Sequence, residues 1–206
     1  MGRLAAMRDF AAVACERDAL MMLNMNSEYR LPEELQTDRY LLRRIVTDDA
    51  EAIFKSYGTD AIATRYLGWK PHHDVQQTRA FLVRVAQEWD DATGFPLVAF
   101  NREAPDELVG MFHPHMQGST VSYGYVLSPA SWGKGCATEV MRWLVEHALS
   151  HPQVHRAEAF CDLENTASAR VLEKAGMAFE GVLRRYFLHP NISDVPRDCR
   201  MYAKVR

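Results

Sequence analysis

The feature that most constrains this chain is a strand that runs through a glycine-rich turn directly into a helix. After Thr120 the residues read V-S-Y-G-Y-V-L up to Leu127, an alternation with a period of two that predicts a half-buried β-strand. Gly124 within this run indicates a bulge, or a close approach of backbone or ligand. A loop from Ser128 to Gly135 follows, and apolar residues at helical spacing then predict a helix from about Cys136 to Ser150.

The turn before that helix has the properties of an anion site. Gly133 and Gly135 allow positive φ angles and a close approach of the backbone to a ligand. The first helical turn leaves N–H groups unpaired, and together with the helix dipole and Lys134 these groups favour a phosphate or pyrophosphate. The turn matches neither a Walker-type nucleotide loop nor the G-x-G-x-x-G pattern of dinucleotide folds. Taken alone, it is equally well explained as a tight structural turn.

The remaining periodicity predicts an α/β (α+β) fold with elements in the order β-α-α-β-β-β-α-β-α-β-β. Thr47 and Asp74 are expected to cap the first two helices, and Ala104-Pro105-Asp106 is expected to form a turn between two strands. The strands are expected at 40–43, 95–100, 107–112, 120–127, 156–161, 177–183 and 199–205, with a last helix at 166–175. The result is a mixed, largely antiparallel central sheet with helices on both faces.

Composition and charge exclude several classes of function. The 206 residues are 48% apolar, which is enough for one domain with a core. The sequence contains no continuous run of about 18 apolar residues, the length needed to span a membrane. With 24 basic and 27 acidic residues the net charge is −3, so bulk charge implies no nucleic-acid or anionic-membrane partner. The four cysteines form no zinc or disulfide pattern, which favours a reducing cytoplasm.

Residues 1–35 differ from the rest of the chain. Apolar residues between Leu4 and Met25 recur at near-helical spacing, so an amphipathic helix that ends before Pro32 is plausible. A peripheral helix or a frayed arm is one interpretation, since chain termini are often poorly ordered. A dimer contact, and hence a homodimer, or a lid over substrate is the alternative.

Two motifs together resemble the GNAT acetyltransferase superfamily. The first is Trp132-Gly133-Lys134-Gly135-Cys136-Ala137-Thr138-Glu139, which is similar to the family's Q/R-x-x-G-x-G/A acetyl-CoA loop with Trp132 at the Q/R position. The second is the string from Asn165 to Gly181, N-T-A-S-A-R-V-L-E-K-A-G-M-A-F-E-G. The resemblance extends from about Thr37 to Arg206, so it implies a GNAT domain at 36–206. It is nearest to the branch of ribosomal-protein alanine and serine N-acetyltransferases.

The resemblance implies roles in binding acetyl-CoA. The backbone amides of the loop would hold the CoA pyrophosphate, and the strand edge ending at Leu127 would pair with the pantetheine arm, placing an amide near the thioester oxygen. Asn165 would bond the pantetheine or the substrate backbone, or simply cap the helix that follows, and Arg170 could reach the CoA phosphates. The cofactor-binding residues expected from the resemblance are Val126, Leu127, Trp132, Gly133, Lys134, Gly135, Cys136, Ala137, Thr138, Asn165 and Arg170.

Proton transfer is less well defined by the sequence. The position of the tyrosine acid found in many family members is Leu172, and Ser122 stands near the place of their glutamate base. In the ribosomal-protein branch a serine at the place of Ser168 can serve as the acid. In place of the missing base, Tyr123 and Tyr125 could contribute through water. His113 or His115 could act as the base. Attack without a dedicated base is a further alternative, because positioning alone supplies much of the rate.

The expected reaction is transfer of acetyl from acetyl-CoA to a primary amine by direct attack in a ternary complex. The acceptor is a protein N-terminus or a small-molecule amine such as an antibiotic or polyamine, with Trp69 and Tyr123 as candidate contacts. A non-catalytic acyl-CoA-binding module is the alternative, because the usual acid and base are absent. No metal is expected, since His113-Pro114-His115 provides two histidines without a third ligand of suitable spacing.

Overall fold

The computed structural model describes residues 29–206. An eight-stranded sheet has the order β1-β2-β3-β4-β5-β6-β8-β7. Its strands are β1 Glu34–Gln36, β2 Tyr40–Arg44, β3 Leu97–Asn101, β4 Ala104–Gln117, β5 Thr120–Leu127, β6 Arg156–Asp162, β7 Ala178–Phe187 and β8 Arg197–Val205. Neighbouring strands are antiparallel except β5 and β6, which are parallel. The predicted mixed, largely antiparallel sheet is therefore confirmed.

Four α-helices connect these strands. They are α1 Ala50–Ile53, α2 Val75–Asp90, α3 Cys136–Ser150 and α4 Thr166–Lys174. A 3-10 turn, Thr47–Asp49, precedes α1, a π-helical turn, Phe54–Gly58, follows it, and a second 3-10 turn, Pro129–Ser131, lies between β5 and α3. No helix within residues 29–206 is both long and apolar enough to cross a lipid bilayer.

The helices cover the two faces of the sheet and form two cores. Because successive strand residues point to opposite faces, Met111 and Phe112 on β4 belong to different clusters. Phe112 packs in the larger cluster with α3 and α4, and Met111 packs in the smaller one with α1 and α2. The same alternation places Tyr123 and Tyr125 of β5 on the α3/α4 face, and Gly124 and Val126 on the α1/α2 face.

The amino-terminal segment is only partly described. The predicted helix up to Pro32 lies mostly in residues 1–28, outside the described part of the chain. Of the remaining residues, Tyr29, Leu31 and Leu35 are buried in the larger core, and Glu34–Gln36 pairs with β2. Some residues expected to form an arm, Tyr29, Leu31 and Leu35 among them, therefore contribute to the domain itself. Strand β1 has three residues, too few to produce a periodic pattern.

Local corrections concern the first helix, one turn and one glycine. Thr47 is not the cap, because it is the first residue of the 3-10 turn and Val46 holds the N-cap position. The Val46 N–H donates to Asp49 Oδ2 at 2.8 Å. The turn between β3 and β4 is at Arg102–Glu103, and Pro105, which has no N–H to donate, lies in a region of shifted register within β4. Gly124 marks no bulge, because the pairing of β4 with β5 continues without a shift.

We expect Leu144→Ala to reduce the free energy of unfolding by about 3 kcal/mol, the usual cost of a cavity at a fully buried leucine. Leu144 lies on the face of α3 that is fully enclosed by the core. Urea unfolding monitored by circular dichroism measures the change. Glu146→Ala, on the exposed side of the same helix, should stay within about 0.5 kcal/mol of the unmodified protein. Equal losses in the two variants would contradict this description of the core.

Candidate active site

Strands β5 and β6 run side by side for only part of their length. Their parallel pairing joins Thr120, Val121 and Ser122 to Arg156, Ala157 and Glu158. Beyond Ser122 no strand in residues 29–206 pairs with this edge of β5, whereas β6 continues to pair with β8 up to Asp162. A cavity of about 890 Å³ lies between the separated strands, bordered by residues from Ser122 to Leu127 and from Glu158 to Asp162.

The hydrogen-bond phase of β5 decides which backbone groups face this cavity. Ser128 N–H donates to Val109 O at 2.9 Å, and the register pairs Leu127 with Gly110. In an antiparallel pair, hydrogen-bonded and non-hydrogen-bonded positions alternate. Tyr125 and Leu127 therefore direct their N–H and C=O groups away from β4 and into the gap. The Leu127 carbonyl accepts from Trp132 Nε1, and the other three groups have no strand partner in the part of the chain that the structure describes. The edge is therefore suited to an extended ligand that pairs like a strand.

The loop after β5 brings further donors to the same cavity. Gly133 and Gly135 have φ angles of 72° and 83°, a left-handed conformation that favours glycine. Gly135 is the N-cap of α3, and no side chain caps the first turn of that helix. The cavity is bordered by this uncapped end, at Gly133, Gly135, Cys136, Ala137 and Thr138. The unpaired N–H groups and the positive end of the helix dipole together can hold an anion.

A hairpin more than 90 residues earlier in the chain supports this loop, a contact that no sequence pattern predicted. Arg39, in the turn between β1 and β2, donates to Glu139 Oε2 at 2.7 Å and to Lys134 O at 2.9 Å. Thr37 Oγ1 and the Arg39 N–H both donate to Glu139 Oε1, at 2.7 and 2.9 Å. Hydrogen bonds to the Glu139 carboxylate from Thr37 and Arg39 outweigh the effect of burial and lower its pKa. The Arg39 guanidinium therefore connects the hairpin both to the loop, at Lys134 O, and to the first turn of α3, at the Glu139 carboxylate.

Two of the predicted catalytic side chains meet across the cavity. Tyr125 Oη and Ser168 Oγ lie 2.8 Å apart, within hydrogen-bond distance. Asn165 Oδ1 accepts from the Ser168 N–H at 3.1 Å, so the cap role of Asn165 is observed directly. Burial raises the pKa of Tyr125 well above its usual value, and the bond from Ser168 only partly offsets this. The phenol therefore keeps its proton at neutral pH and can serve as a donor.

The other residues expected at the site fall into different environments. Arg170 and Trp132 border the cavity, and Trp132 Nε1 donates to Leu127 O at 3.1 Å, which ties the loop to the end of β5. Tyr123 also borders it, but its hydroxyl donates to Leu144 O in the core at 3.1 Å. Lys134 is exposed and lies outside the lining. Burial raises the pKa of the Cys136 thiol to about 12, so this cysteine stays protonated.

A second cavity of about 240 Å³ lies on the other face of the sheet. It shares the wall formed by Gly124, Tyr125 and Val126 with the larger cavity. Leu67, Gly68 and His115 also border both cavities. The remaining lining is mainly apolar and aromatic, and includes Ile53, Tyr57, Trp69, His72, Phe81 and Met111. Trp69 stacks on the His72 ring with centroids 4.7 Å apart. Trp69 therefore lines the same cavity as Tyr125, one of the two predicted catalytic residues.

Two features of this aromatic cavity were not predictable from sequence. Tyr57 lies in the π-helical turn, and its buried hydroxyl has no hydrogen-bond partner among the described residues. Glu88 of α2 is close to both His113 and His115, so the two histidines do have a third group near them, contrary to the sequence interpretation. His113 Nε2 is 2.7 Å from Glu88 Oε2, which is a hydrogen-bond distance. Sequence spacing could not reveal Glu88, because it is 25 residues away on a helix.

Comparison with known proteins agrees with this geometry. The acetyltransferase (GNAT) domain family matches residues 39–178. The uncharacterized N-acetyltransferase YoaA of Bacillus subtilis (strain 168) is 33% identical over 175 residues, which cover 84% of this chain and 96% of YoaA.

Solved structures share the fold at lower identity. The microcin C7 self-immunity acetyltransferase MccE, in complex with acetyl-CoA and AMP, has a TM-score of 0.75 at 18% identity and covers 85% of this chain and 98% of its own. RimL, a ribosomal L7/L12 α-N-protein acetyltransferase in complex with coenzyme A, has a TM-score of 0.74 at 17% identity, with 84% and 98% covered. The match over most of the chain, with the open edge of β5 and the uncapped helix α3, establishes that the chain belongs to the GNAT acetyltransferase family and is an acetyl-CoA-dependent N-acetyltransferase.

Proposed function

We propose that this protein transfers the acetyl group of acetyl-CoA to a primary amine by direct attack within a ternary complex. The observation that carries the proposal is the open backbone edge of β5 at Tyr125 and Leu127, which leads to the uncapped first turn of α3. An acyl-CoA offers the matching chemistry in the same order: a thioester, an amide-bearing arm and a pyrophosphate. The shape and donors of the large cavity thus support a cofactor laid along β5.

Within this proposal the backbone does most of the cofactor binding. The amides of Gly133 and of Gly135 to Thr138 hold the pyrophosphate, and the edge at Tyr125 and Leu127 pairs with the pantetheine amides. The Leu127 N–H points at the thioester oxygen and stabilises the charge that develops there, an effect worth about 3–4 kcal/mol in other acyl transferases. Asn165 has its side-chain N–H groups left for the pantetheine while its oxygen caps α4. Arg170 lies at the cavity border, where a phosphate can reach it.

We assign the acid role to the Tyr125–Ser168 pair. The CoA thiolate leaves more easily if it is protonated, and the pair offers a hydroxyl proton inside the cofactor cavity. The high pKa of buried Tyr125 keeps that proton available at neutral pH. Ser168, at the amino-terminal turn of α4, can pass the proton from the phenol to sulfur or donate its own and recover it from Tyr125.

The acceptor is a primary amine held beside Gly124 in the aromatic cavity. Its lining carries no carboxylate to match the second charge of a polyamine, and its volume of about 240 Å³ fits a compact group. This favours a small amine, or a protein N-terminus that inserts one small residue, over a long polycation. RimL and MccE share the fold and are named for a protein and for microcin C7 respectively, so both kinds of acceptor remain candidates.

A cytoplasmic location is part of the proposal. Cys136, Cys161 and Cys199 are free thiols buried in the fold. Unpaired cysteines are the rule in reducing compartments.

The proposed reaction is tested with purified protein, acetyl-CoA and a panel of amines, by following the release of free CoA. The panel contains phenethylamine, spermidine and short peptides with free alanine or serine N-termini. Amine-dependent CoA release, with the acetylated product identified by mass spectrometry, supports the proposal. Tight binding of acetyl-CoA without turnover of any amine would instead favour a non-catalytic acyl-CoA-binding module.

We expect Arg39→Ala to raise the Kd for acetyl-CoA about tenfold, equivalent to about 1.4 kcal/mol, because the cofactor loop loses its support from the β1–β2 hairpin. Isothermal titration calorimetry measures this change. Arg184→Ala, a loss of an exposed arginine on β7, is the matched control and should bind acetyl-CoA normally. Equal affinities of the Arg39 variant and the control would show that the hairpin does not support the loop.

We expect Ser168→Ala and Tyr125→Phe each to lower kcat by about 10- to 100-fold, in the range usual for general acids, while the Kd for acetyl-CoA changes little. The double variant should be no slower than the slower single variant, because the two hydroxyls act as one unit. Steady-state kinetics at saturating substrates gives these values. Multiplicative losses in the double variant would separate the two roles.

We expect Gly124→Leu to lower kcat/KM for the amine at least about tenfold without weakening acetyl-CoA binding, because the new side chain enters the aromatic cavity rather than the cofactor cavity. A Cβ at this position meets no atom within 4 Å, so the fold accommodates it. Gly124→Ala, with a single methyl group, should have an intermediate effect. A loss of acetyl-CoA affinity with unchanged amine kinetics would reverse the assignment of the two cavities.

A further inference from the structure

A half-buried pair of ionisable groups has no part in the chemistry described so far: His113, which borders the aromatic cavity, and Glu88, which lies behind it. His113 is on β4 directly opposite Gly124 of β5, so no side chain on that neighbouring position covers it. His113 Nε2 and Glu88 Oε2 are 2.7 Å apart, and the side chain of His113 is 14% exposed. His115 also borders the cavity, with its Nδ1 3.4 Å from the same carboxylate oxygen and its side chain 44% exposed.

The carboxylate fixes the tautomer of His113. Burial opposes ionisation of Glu88, but hydrogen bonds from His113 and His115 outweigh it and lower the pKa of Glu88 to about 2. An ionised carboxylate can only accept hydrogen bonds, so Nε2 of His113 carries the proton. The other ring nitrogen, Nδ1, is then the basic one, and it has no hydrogen-bond partner among residues 29–206. A carboxylate that orients an imidazole in this way also stabilises the imidazolium that forms when the ring accepts a proton.

The groups around His113 keep it neutral before reaction. Burial lowers the pKa of His113 below its ordinary value, and the bond to Glu88 only partly restores it. His115 on β4 and Arg84 on α2 lower it further. The remaining titratable groups of the cavity wall are His72, Tyr57 and Tyr125: burial lowers the pKa of the first and raises those of the two tyrosines. None of these three is anionic at neutral pH.

We propose that Nδ1 of His113 accepts the proton that the acceptor ammonium must lose before attack, with Glu88 as the positioning residue. The inference rests on the acetyl transfer proposed above. The ammonium gives one proton to His113, and its nitrogen lone pair then forms a bond to the thioester carbon. The C–S bond breaks as the tetrahedral intermediate collapses, and the Tyr125–Ser168 pair protonates the leaving thiolate. The second proton of the nitrogen passes to water, and the pair recovers one proton from water. His113 finally releases its proton to water, so the sum is amide, free CoA and one proton.

The test is the pH dependence of kcat, measured at saturating acetyl-CoA and amine, for the unmodified enzyme and for His113→Gln, Glu88→Gln and His155→Gln. Saturation removes the ionisation of the free amine from the profile, so kcat reports groups in the ternary complex. His155 is exposed and distant from both cavities, which makes it the matched control for loss of a histidine. The Kd for acetyl-CoA and the unfolding midpoint of each variant show whether the fold is intact.

The unmodified enzyme should lose activity as pH falls through the lowered pKa of His113, below about 6.5, because the protonated ring cannot accept a proton. His113→Gln should lower kcat by at least about 100-fold and remove this limb. Glu88→Gln should lower kcat about tenfold and move the limb to lower pH, since the imidazolium loses its stabilising charge. Acetyl-CoA binding should be unchanged in both, and His155→Gln should behave as the unmodified enzyme.

Two outcomes would overturn the inference without affecting acetyl transfer. One is a His113→Gln variant that folds, binds acetyl-CoA and retains the unmodified acid limb. The other is activity that a chelator abolishes and Zn²⁺ restores, since Glu88, His113 and His115 would then act together on a cation. An unmodified enzyme that binds acetyl-CoA but acetylates no amine would overturn the proposed function and, with it, this inference.

Discussion

The structure depends on the separation of two parallel strands. Strand β5 pairs with β6 only up to Ser122. Beyond it, the N–H and C=O of Tyr125 and the N–H of Leu127 face a cavity, while the Leu127 carbonyl accepts from Trp132 Nε1. Unpaired backbone groups at a sheet interior are costly unless something pairs with them. A continuous sheet would have satisfied these groups internally and left no room for a cofactor. The backbone groups that have no strand partner within residues 29–206 are therefore the ones proposed to bind the cofactor.

The alternation of strand residues divides the proposed chemistry between the two faces of the sheet. Tyr125 points toward α3 and α4, where it meets Ser168, whereas its neighbour Gly124 faces α1 and α2, where its missing side chain leaves His113 uncovered. The proposed acid, Tyr125 with Ser168, and the proposed base, His113, therefore lie on opposite faces of the sheet. The thioester, lying at the strand edge, is accessible from both sides. A proton leaving the amine and one arriving at sulfur need not share a path.

The sequence was most informative where function depends on local backbone. The limits of β5 and α3, the left-handed glycines 133 and 135 and the cap at Asn165 follow from alternation, turn chemistry and capping rules, which act over a few residues. The sequence could not reveal contacts between distant segments. Arg39 meets Glu139 and Glu88 meets His113 only after the sheet forms, and no spacing encodes either pair. Strand β1 and the turn at Arg102–Glu103 were missed because short or irregular segments lack periodicity.

The bond between Arg39 and Glu139 ties the amino-terminal hairpin to the helix end that is proposed to bind the cofactor. The hairpin of β1 and β2 lies at one edge of the sheet, and β1 is the edge strand. Strands open most easily at such an edge. Coupling between two sites is reciprocal. If the closed hairpin increases the affinity for the cofactor, a bound cofactor stabilises the closed hairpin by the same free energy. Binding of the cofactor at the loop should therefore slow amide hydrogen exchange in the segment around Leu35, on strand β1. Hydrogen exchange at this edge strand would then report whether the cofactor cavity is occupied.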